Sequence, residues 1–205
     1  MAVAIAVSDI TTLARNFLKV NSSYASAEEI RLANTVNSII GGYYHWHWNV
    51  TAGTDVTLST TTQDNTIAAA DQNKVLAIQN AYLKDGSTTL PNLLIQSDQT
   101  LPVTDTTGRP VAVSMLSPTA IRLWPLSTTA FTFKWRFFKR PTVFTANTEA
   151  YDSPDAFLEV AKAGMIWQLM DYADDDRATR WSQTFFALLE GLKKREQMTN
   201  NRMRG

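Results

Sequence analysis

The chain has 205 residues, 44% of them hydrophobic, which is enough to bury a core without help from disulfides or metals. Lys and Arg total 19 and Asp and Glu total 19, and this balance argues against a protein that wraps nucleic acid with an overall basic surface. There is no cysteine, which excludes thiolate catalysis and cysteine metal sites, and only two histidines are available for acid–base chemistry.

The chain begins with the periodicity of two helices. Ser26 and Glu29 form a capping box at the start of the second helix, and apolar residues follow at helical spacing. Two glycines at 41–42 are typical of a left-handed helix end. We therefore expect residues 1–42 to form a helical region.

The middle of the chain, residues 43–144, has the composition of short strands. It is rich in Thr and Val and interrupted by turn residues, which favours an antiparallel sandwich or a barrel-like region. In the clearest strand, residues 131–137, the aromatic residues share one face and Lys134 and Arg136 share the other. Proteins that bind single-stranded nucleic acid interleave aromatic and basic residues. Here the two kinds of residue lie on opposite faces of the strand, which favours a strand of the core.

The end of the chain is helical again. Ser153 is predicted to be an N-cap with Pro154 at the first helical position, and three aspartates at 174–176 interrupt two apolar stripes. Because neither terminal pair of helices buries its stripe alone, residues 145–196 are expected to pack with the N-terminal helices. The predicted fold class is α+β, a helical bundle from the N- and C-terminal helices with an inserted antiparallel β-sandwich or barrel-like region. Residues 197–205 have no apolar stripe and predict a flexible basic tail.

No targeting segment is apparent. The apolar start of the chain is short and has no basic residue before it, and no stretch of about 20 apolar residues occurs. We expect a protein that is made in the cytoplasm or built into a particle assembled there.

Motifs that carry chemistry are absent from the sequence. His45 and His47 are predicted to share a face of a strand, but a zinc site needs three or four ligands, so we interpret them as partly buried structural residues among aromatics. The aspartates at 174–176 lack the spacing of a calcium loop and are interpreted as a helix N-cap cluster. No nucleophile elbow, phosphate loop or zinc helix occurs. No catalytic, cofactor or metal residue is predicted, and the chain is not expected to be an enzyme.

Charge is unevenly distributed near the C-terminus. Between Glu149 and Asp176, eight acidic residues stand against one basic residue, Lys162. The basic residues after Leu192 are Lys193, Lys194, Arg195, Arg202 and Arg204. They either complement the negative end of the last helix dipole or form a docking tail that orders on a partner, and the sequence leaves both readings open.

The order of these elements resembles the head-to-tail adaptor of tailed bacteriophages. The resemblance covers about residues 13–195 and is carried by five pieces: the aromatic stretch 43–48, the strand 121–125 ending in Pro, the aromatic strand 131–141 ending in a second Pro, the helix start at 153–154 and the final helix 181–192. The elaborated β region is most similar to short-tailed phages, whose neck ring is also called a tail tubular protein.

This resemblance implies a structural virion protein in the neck. It implies a homo-oligomeric ring, a dodecamer, that connects the portal protein to the tail nozzle or tail fibre proteins, with assembly in the host cytoplasm. Lys193, Lys194, Arg195, Arg202 and Arg204 would bind the portal. Genomic DNA would pass through the channel without specific binding, held and then released at ejection, and the channel-lining candidates are Asp171, Asp174, Asp175 and Asp176. No cofactor is implied.

Other functions remain open at this stage. The chain also fits another phage ring, such as a tail-completion or tube-terminating protein. A nucleic-acid or carbohydrate-binding module would require Trp135 to be exposed. A cell-wall hydrolase would require a pair of carboxylates in a cleft, and no pair stands out.

Overall fold

The structure, a computed structural model, divides into a helical unit and a β unit. It describes residues 6–18, 26–96, 101–151 and 153–202. The units are Met1–Asn49 with Pro141–Gly205, and Val50–Arg140. Helices from both ends of the chain thus flank a β region, which confirms the predicted α+β class. The borders between the units lie at 49/50 and 140/141 rather than at the predicted 42/43 and 144/145.

The helical unit is built around one central helix. Its helices are α1 (Val7–Leu18), α2 (Ser26–Tyr43), α3 (Leu158–Tyr172) and α4 (Ala178–Arg202). Helix α3 packs against each of the other three and is buried on most of its circumference. The largest buried side chains of this unit include Trp46, Phe144 and Phe185.

Helix α2 continues through the two glycines that were predicted to end it. Its last residue is Tyr43, and neither glycine has a positive φ. Gly41 is required for a different reason, because a Cβ at this position would overlap Cγ of Pro141. The end of the helix is held instead by the indole of Trp46, whose Nε1 donates to the carbonyl of Ile40 at 2.6 Å.

The start of α3 is also displaced from its prediction. Pro154 is the N-cap, with an extended backbone, and a 3₁₀ turn over Asp155–Phe157 precedes the helix. No side-chain cap bond is made at this N-cap, so the predicted N-cap role of Ser153 is wrong. The N–H of Phe157 donates to the carbonyl of Pro154 at 2.8 Å and closes the 3₁₀ turn.

Helix α4 is longer than the sequence indicated. It runs to Arg202, so residues 197–202 are helical and not a flexible tail. Their hydrogen bonds continue the ladder of the preceding turns even though no apolar stripe accompanies them. Residues 203–205 of the predicted tail lie outside the described residues.

Eleven strands are described in the β unit. They are β1 (Val50–Ala52), β2 (Val56–Thr57), β3 (Asp64–Thr66), β4 (Val75–Asp85), β5 (Thr88–Asn92), β6 (Leu94–Ile95), β7 (Thr107–Gly108), β8 (Ala112–Ser117), β9 (Ala120–Trp124), β10 (Leu126–Ser127) and β11 (Thr132–Lys139). One sheet has the order β1-β11-β4-β5, with β2 also on β11, and another has the order β3-β9-β8-β6. Most pairs are antiparallel, as predicted, but β6 with β8 and β7 with β10 are parallel.

Strand β11 forms the centre of the first sheet. It pairs antiparallel with β4 along its whole length, with Phe133 opposite Leu83 and Trp135 opposite Ala81. Phe133, Trp135 and Phe137 are buried, whereas Lys134 and Arg136 lie on the other face. The core-strand reading of this stretch is therefore confirmed.

Candidate interaction surfaces

The aromatic stretch after α2 forms a stacked cluster rather than a strand. Residues His47–Asn49 are a 3₁₀ turn, and the ring of Phe157 makes edge contacts with Trp46 at 4.9 Å and Trp48 at 5.4 Å between centroids. His45 and His47 are both exposed, so the prediction that they are partly buried on one face of a strand is wrong. Trp46 is buried and Trp48 is half-buried in their place.

An apolar cavity of about 350 Å³ opens beside this cluster, and we call it the aromatic groove. It is lined by Trp46, His47, Trp48, Pro154, Ala156, Phe157, Leu192, Arg195, Glu196 and Thr199. One wall is therefore the aromatic cluster and the other is the C-terminal half of α4. The two walls are joined by a hydrogen bond of 2.7 Å from the backbone N–H of His47 to Glu196 Oε1.

Further towards the middle of α4, Glu190 connects two elements that are far apart in sequence. Its Oε2 accepts from the hydroxyl of Tyr43 at 2.9 Å and from Nζ of Lys193 at 3.3 Å. The hydrogen bond with the carboxylate raises the pKa of Tyr43, and hydrogen bonds from Tyr43 and then Lys193 lower the pKa of Glu190. The Lys193 ammonium also lies 5.7 Å from the Tyr43 ring centroid. Lys193 is thus engaged within the chain.

The other predicted portal-binding residues lie on α4 or beyond it. Lys194 and Arg195 are exposed, and neither has an ion-pair partner among the described residues. Arg195 lines the aromatic groove, whereas Lys194 does not. Arg202 is the last residue of the helix, and its side chain, together with all of Arg204, lies outside the described residues. The structure thus brings Arg195, but not Lys194, to the groove.

The predicted acidic residues gather at the turn between α3 and α4, which we call the acidic turn (residues 171–176). Asp171, Asp174 and Asp176 are exposed. Asp174 has a φ of 55°, and the N–H of Asp175 donates to the carbonyl of Met170 at 3.0 Å. This is the hydrogen bond of a Schellman helix end, so the aspartates terminate α3, and their interpretation as an N-cap cluster is wrong for Asp174.

Asp175 is the one member of the acidic turn with an ion-pair partner among the described residues. Arg177 donates to it from Nη2 at 2.7 Å and from Nε at 3.0 Å. These side-chain hydrogen bonds, with one from the Arg177 backbone N–H, lower the pKa of Asp175 to about 2. The other three carboxylates therefore contribute charge to solvent that the described chain does not neutralise.

A second cavity of about 240 Å³, the bundle groove, lies between α1, α3 and α4. It is lined by Phe17, Glu159, Lys162, Ala163, Ile166, Trp181, Thr184 and Leu188. Phe17 is 53% exposed and packs its edge on Trp181 at 5.0 Å between centroids. Leu188 and nearby Leu13 are also exposed. The helical unit thus presents apolar side chains to solvent along one groove, which the sequence analysis did not identify.

The β unit has no exposed tryptophan on β11 to act as a stacking surface. Trp135 is 3% exposed, and its Nε1 donates to the carbonyl of Thr54 at 3.0 Å. Lys134 on the opposite face is paired with Asp55. The binding-module alternative required an exposed Trp135, so the structure removes its basis.

The β unit also has a polar cleft of about 240 Å³ that was not predicted from the sequence. Arg122 and Asp64 form a two-point ion pair there, Nε to Oδ1 at 2.7 Å and Nη2 to Oδ2 at 3.0 Å. These hydrogen bonds lower the pKa of Asp64. The pair spans adjacent strands β3 and β9 and fixes their register.

Among the described residues, no three side chains of His, Asp or Glu come together as a metal site. None of the helices in the described part of the chain is both long enough and apolar enough to cross a membrane.

The class of protein follows from comparison with known families. Residues 5–205 match the family described as SU10 adaptor protein, and the chain belongs to this family of phage head-to-tail adaptors. The predicted resemblance is confirmed. The family is a structural class and not an enzyme class, and membership implies a place in the virion. No curated protein matches the chain.

Proposed function

We propose that the protein forms a dodecameric ring that joins the portal to the tail and encloses part of the channel through which DNA passes. The observation that carries the proposal is the bundle groove. Monomeric proteins rarely expose an apolar groove unless it binds a partner. A closed ring needs one pair of complementary surface patches, repeated between neighbouring copies.

The bundle groove supplies one of these patches. Phe17 and Leu188 stand on different helices and remain 53% and 37% exposed. Burial of apolar surface is the main favourable term in association, at roughly 25 cal/mol per Å². Covering this groove with a neighbouring copy would remove both side chains from water.

The C-terminal half of α4 is proposed to bind the portal. Lys194 and Arg195 are exposed and have no ion-pair partner among the described residues, and Arg202 and Arg204 extend the basic character of this end. Lys193, which is already paired with Glu190, would contribute by exchange of its partner. Cationic side chains that are not neutralised in the chain favour a partner surface that carries carboxylates.

Asp171, Asp174, Asp175 and Asp176 are proposed to line the channel. They lie within the last turn of α3 or directly after it, where negative charge is unfavourable for the helix dipole. For Asp171 and Asp174, which have no ion-pair partner among the described residues, this placement lowers stability, which is expected where charge serves function. Acidic walls repel the phosphate backbone and would let DNA pass without specific binding. The β unit is proposed to contact the tail nozzle or fibres.

The ring is tested by the mass of the protein with two pairs of substitutions. Phe17→Ser with Leu188→Ser should leave a folded monomer that does not join a portal-bound ring. The control is Val103→Ser with Leu94→Ser, which are 75% and 60% exposed in the β unit. If the variant with Phe17→Ser and Leu188→Ser still forms rings of wild-type mass, the bundle groove is not the interface between copies. Association of rings with a tail component and not with the portal would favour a tail-completion or tube-terminating ring.

Portal binding is tested by deleting residues 197–205. Because residues 197–199 are exposed, the deletion should leave thermal unfolding of the chain close to wild type. Attachment to the portal should be lost. If attachment to the portal is unchanged, the C-terminal end of α4 is not part of the portal contact.

A further inference from the structure

A ring closed by one repeated contact needs two different patches on every copy, because the groove of one copy is covered by another surface of its neighbour. The bundle groove is the first patch, so the second lies among the remaining exposed apolar side chains. In the helical unit, away from the bundle groove, the described side chains of this kind are Val143, Tyr172, Phe186 and Met198. A single exposed apolar side chain is normal on any surface, whereas a contiguous apolar patch marks an interaction site. Phe186 is the member of this set that lies in a cluster of three accessible aromatic rings.

We call this cluster the Phe186 patch (Tyr43, Trp167 and Phe186). Phe186 is 39% exposed, and Tyr43 and Trp167 are half-buried, so each of the three rings can contact a partner. The ring centroid of Phe186 lies 5.8 Å from that of Trp167 and 6.2 Å from that of Tyr43. The hydroxyl of Tyr43 is held by its hydrogen bond to Glu190. Aromatic side chains that are already held in place lose little conformational entropy on binding, and they supply much of the energy of protein interfaces.

The Phe186 patch and the bundle groove lie on opposite sides of α4. Phe186 and Leu188 are two residues apart on this helix, and because each residue turns the helix by about 100°, their side chains leave it about 160° apart. The contacts agree with this placement, since Phe186 packs against Tyr43 of α2, whereas Leu188 lines the bundle groove together with Phe17 of α1. In a ring of many copies, each copy meets its two neighbours on nearly opposite sides. The helical unit therefore has the two-sided arrangement that head-to-tail contact between copies requires.

The charges beside the two patches are balanced. Next to the Phe186 patch, Nζ of Lys193 lies 3.3 Å from Oε2 of Glu190. At the bundle groove, Nζ of Lys162 lies 3.8 Å from Oε2 of Glu159, and no other ionisable residue lines this groove among the described residues. Each patch thus carries one ammonium and one carboxylate, so each ammonium can face a carboxylate of the neighbouring copy. A surface with a net charge would need a partner of the opposite sign, whereas these two balanced surfaces suit each other.

We propose that the Phe186 patch of each copy covers the bundle groove of the next copy in the ring, with the ring of Phe186 packed against Phe17 and Leu188 of its neighbour. The proposal rests on the proposed function, because it takes the bundle groove as one side of the contact between copies. It goes further in naming the surface that fills the groove. It also makes the contact head-to-tail, so that the groove of one copy never meets the groove of another.

The test is cross-linking between copies, which is possible because the chain has no cysteine of its own. Leu13 is 41% exposed one turn before Phe17 on α1, and Gln183 is exposed one turn before Phe186 on α4. Full-length chains with Leu13→Cys and with Gln183→Cys are mixed in equal amounts on the portal ring and treated with a short bismaleimide reagent. We expect covalent dimers that contain one chain of each kind, and a chain with both substitutions should give a ladder that extends beyond dimers. The control pairs Leu13→Cys with Val143→Cys, which is 71% exposed and lies in neither patch, and should give no dimers.

Substitution of the central aromatic residue gives a second measurement. Phe186→Ser should raise the concentration at which half of the chains are in portal-bound rings by about tenfold or more, as loss of a central interface aromatic does. Val143→Ser should change this concentration by less than about twofold, as substitutions outside the contact do. A mixture of Phe186→Ser with the variant that carries Phe17→Ser and Leu188→Ser has one intact pair of patches between two chains, so it should form dimers of the two variants and no rings. If Phe186→Ser does not fold, the cross-linking result, which keeps Phe186, decides.

The outcomes separate this proposal from the adaptor function. If wild-type rings form on the portal but Leu13→Cys and Gln183→Cys chains are not cross-linked, the Phe186 patch does not fill the groove, and the adaptor function stands. Cross-links between two Leu13→Cys chains would show that the groove meets itself, and a cross-link from Gln183→Cys to the portal would make the patch a portal contact. Either result overturns the proposal. If wild type forms no ring on the portal, the proposal and the adaptor function both fall.

Discussion

Substitution of Gly164 by Ala should destabilise the helical unit, although alanine is the better helix former. Gly164 is buried in α3, at a point where α2 and α4 both approach it closely. A Cβ on this residue would stand 2.7 Å from Cγ1 of Val36 and 2.9 Å from Cε2 of Phe185. Both of these side chains are fully buried and have no free space to move into.

The magnitude follows from two opposed terms. Replacing Gly by Ala inside a helix gains about 1 kcal/mol in intrinsic propensity. Forcing an extra methyl into a packed core costs about 1–3 kcal/mol. Gly191 on α4 is a matched control, because it is exposed and a Cβ added there would have nothing within 4 Å. Gly191→Ala should therefore show the gain alone, and the two variants should differ by about 1–3 kcal/mol.

The assay is urea unfolding followed by helical circular dichroism, with the two variants and wild type measured together. Combining Val36→Ala with Gly164→Ala should cost less free energy than the sum of the two single substitutions, as expected for residues in contact. Equal stability of Gly164→Ala and Gly191→Ala would refute the packing of α2 and α4 on α3.

Four other predictions address the cap, the acidic turn and the histidines. Trp46→Phe removes the bond to the carbonyl of Ile40 and should cost about 1–3 kcal/mol of unfolding free energy in the same assay, and an unchanged midpoint would contradict the cap. Asp174→Gly should stabilise the chain by about 1 kcal/mol because glycine adopts the φ of 55° without strain, and a loss of stability would contradict the helix-end assignment. The pKa of Asp175 should be about 2 by NMR titration. Since it lies below the value in the unfolded chain, the stabilisation is complete above the unfolded pKa and is lost as pH falls through about 2. Arg177→Gln should raise this pKa, and an unmoved titration would refute the pairing. Replacing His45 and His47 together with Gln should leave the metal content, measured by elemental analysis, unchanged. The free energy of unfolding should stay within about 0.5 kcal/mol of wild type. Loss of a bound metal would show that the two histidines are metal ligands and would contradict this prediction.

Patterns that repeat along the chain predicted the fold well. Aromatic residues alternate with Lys134 and Arg136 along β11, and side chains on a strand alternate between its two faces. This repeated pattern assigned Phe133, Trp135 and Phe137 to the core. Ser26 was predicted to be the N-cap of the second helix, and α2 begins at Ser26, within one residue of that prediction. These signals are local, and tertiary contacts did not override them.

The errors arose where a distant contact decides a local conformation. Gly41 serves the close approach of Pro141, a hundred residues away, and does not end a helix. The alternation of His and Trp at 45–48 is typical of a strand, yet the chain turns there so that Trp46 caps α2. A single sequence carries no sign of either contact.

The candidate surfaces were only partly predictable for the same reason. The charge of the acidic turn and of the end of α4 is visible in composition. The bond between Tyr43 and Glu190 joins residues 147 positions apart, and the aromatic groove combines three separated segments. Exposure decides which apolar residues form a surface, and the periodicity of α4 gives no means to separate exposed Leu188 from buried Leu189.

The most direct test of the adaptor function is the mass of the purified protein, alone and mixed with the portal ring from the same genome. The proposed function predicts a stable complex that contains one copy of the protein for each portal subunit. A protein that remains monomeric and does not associate with the portal would contradict it.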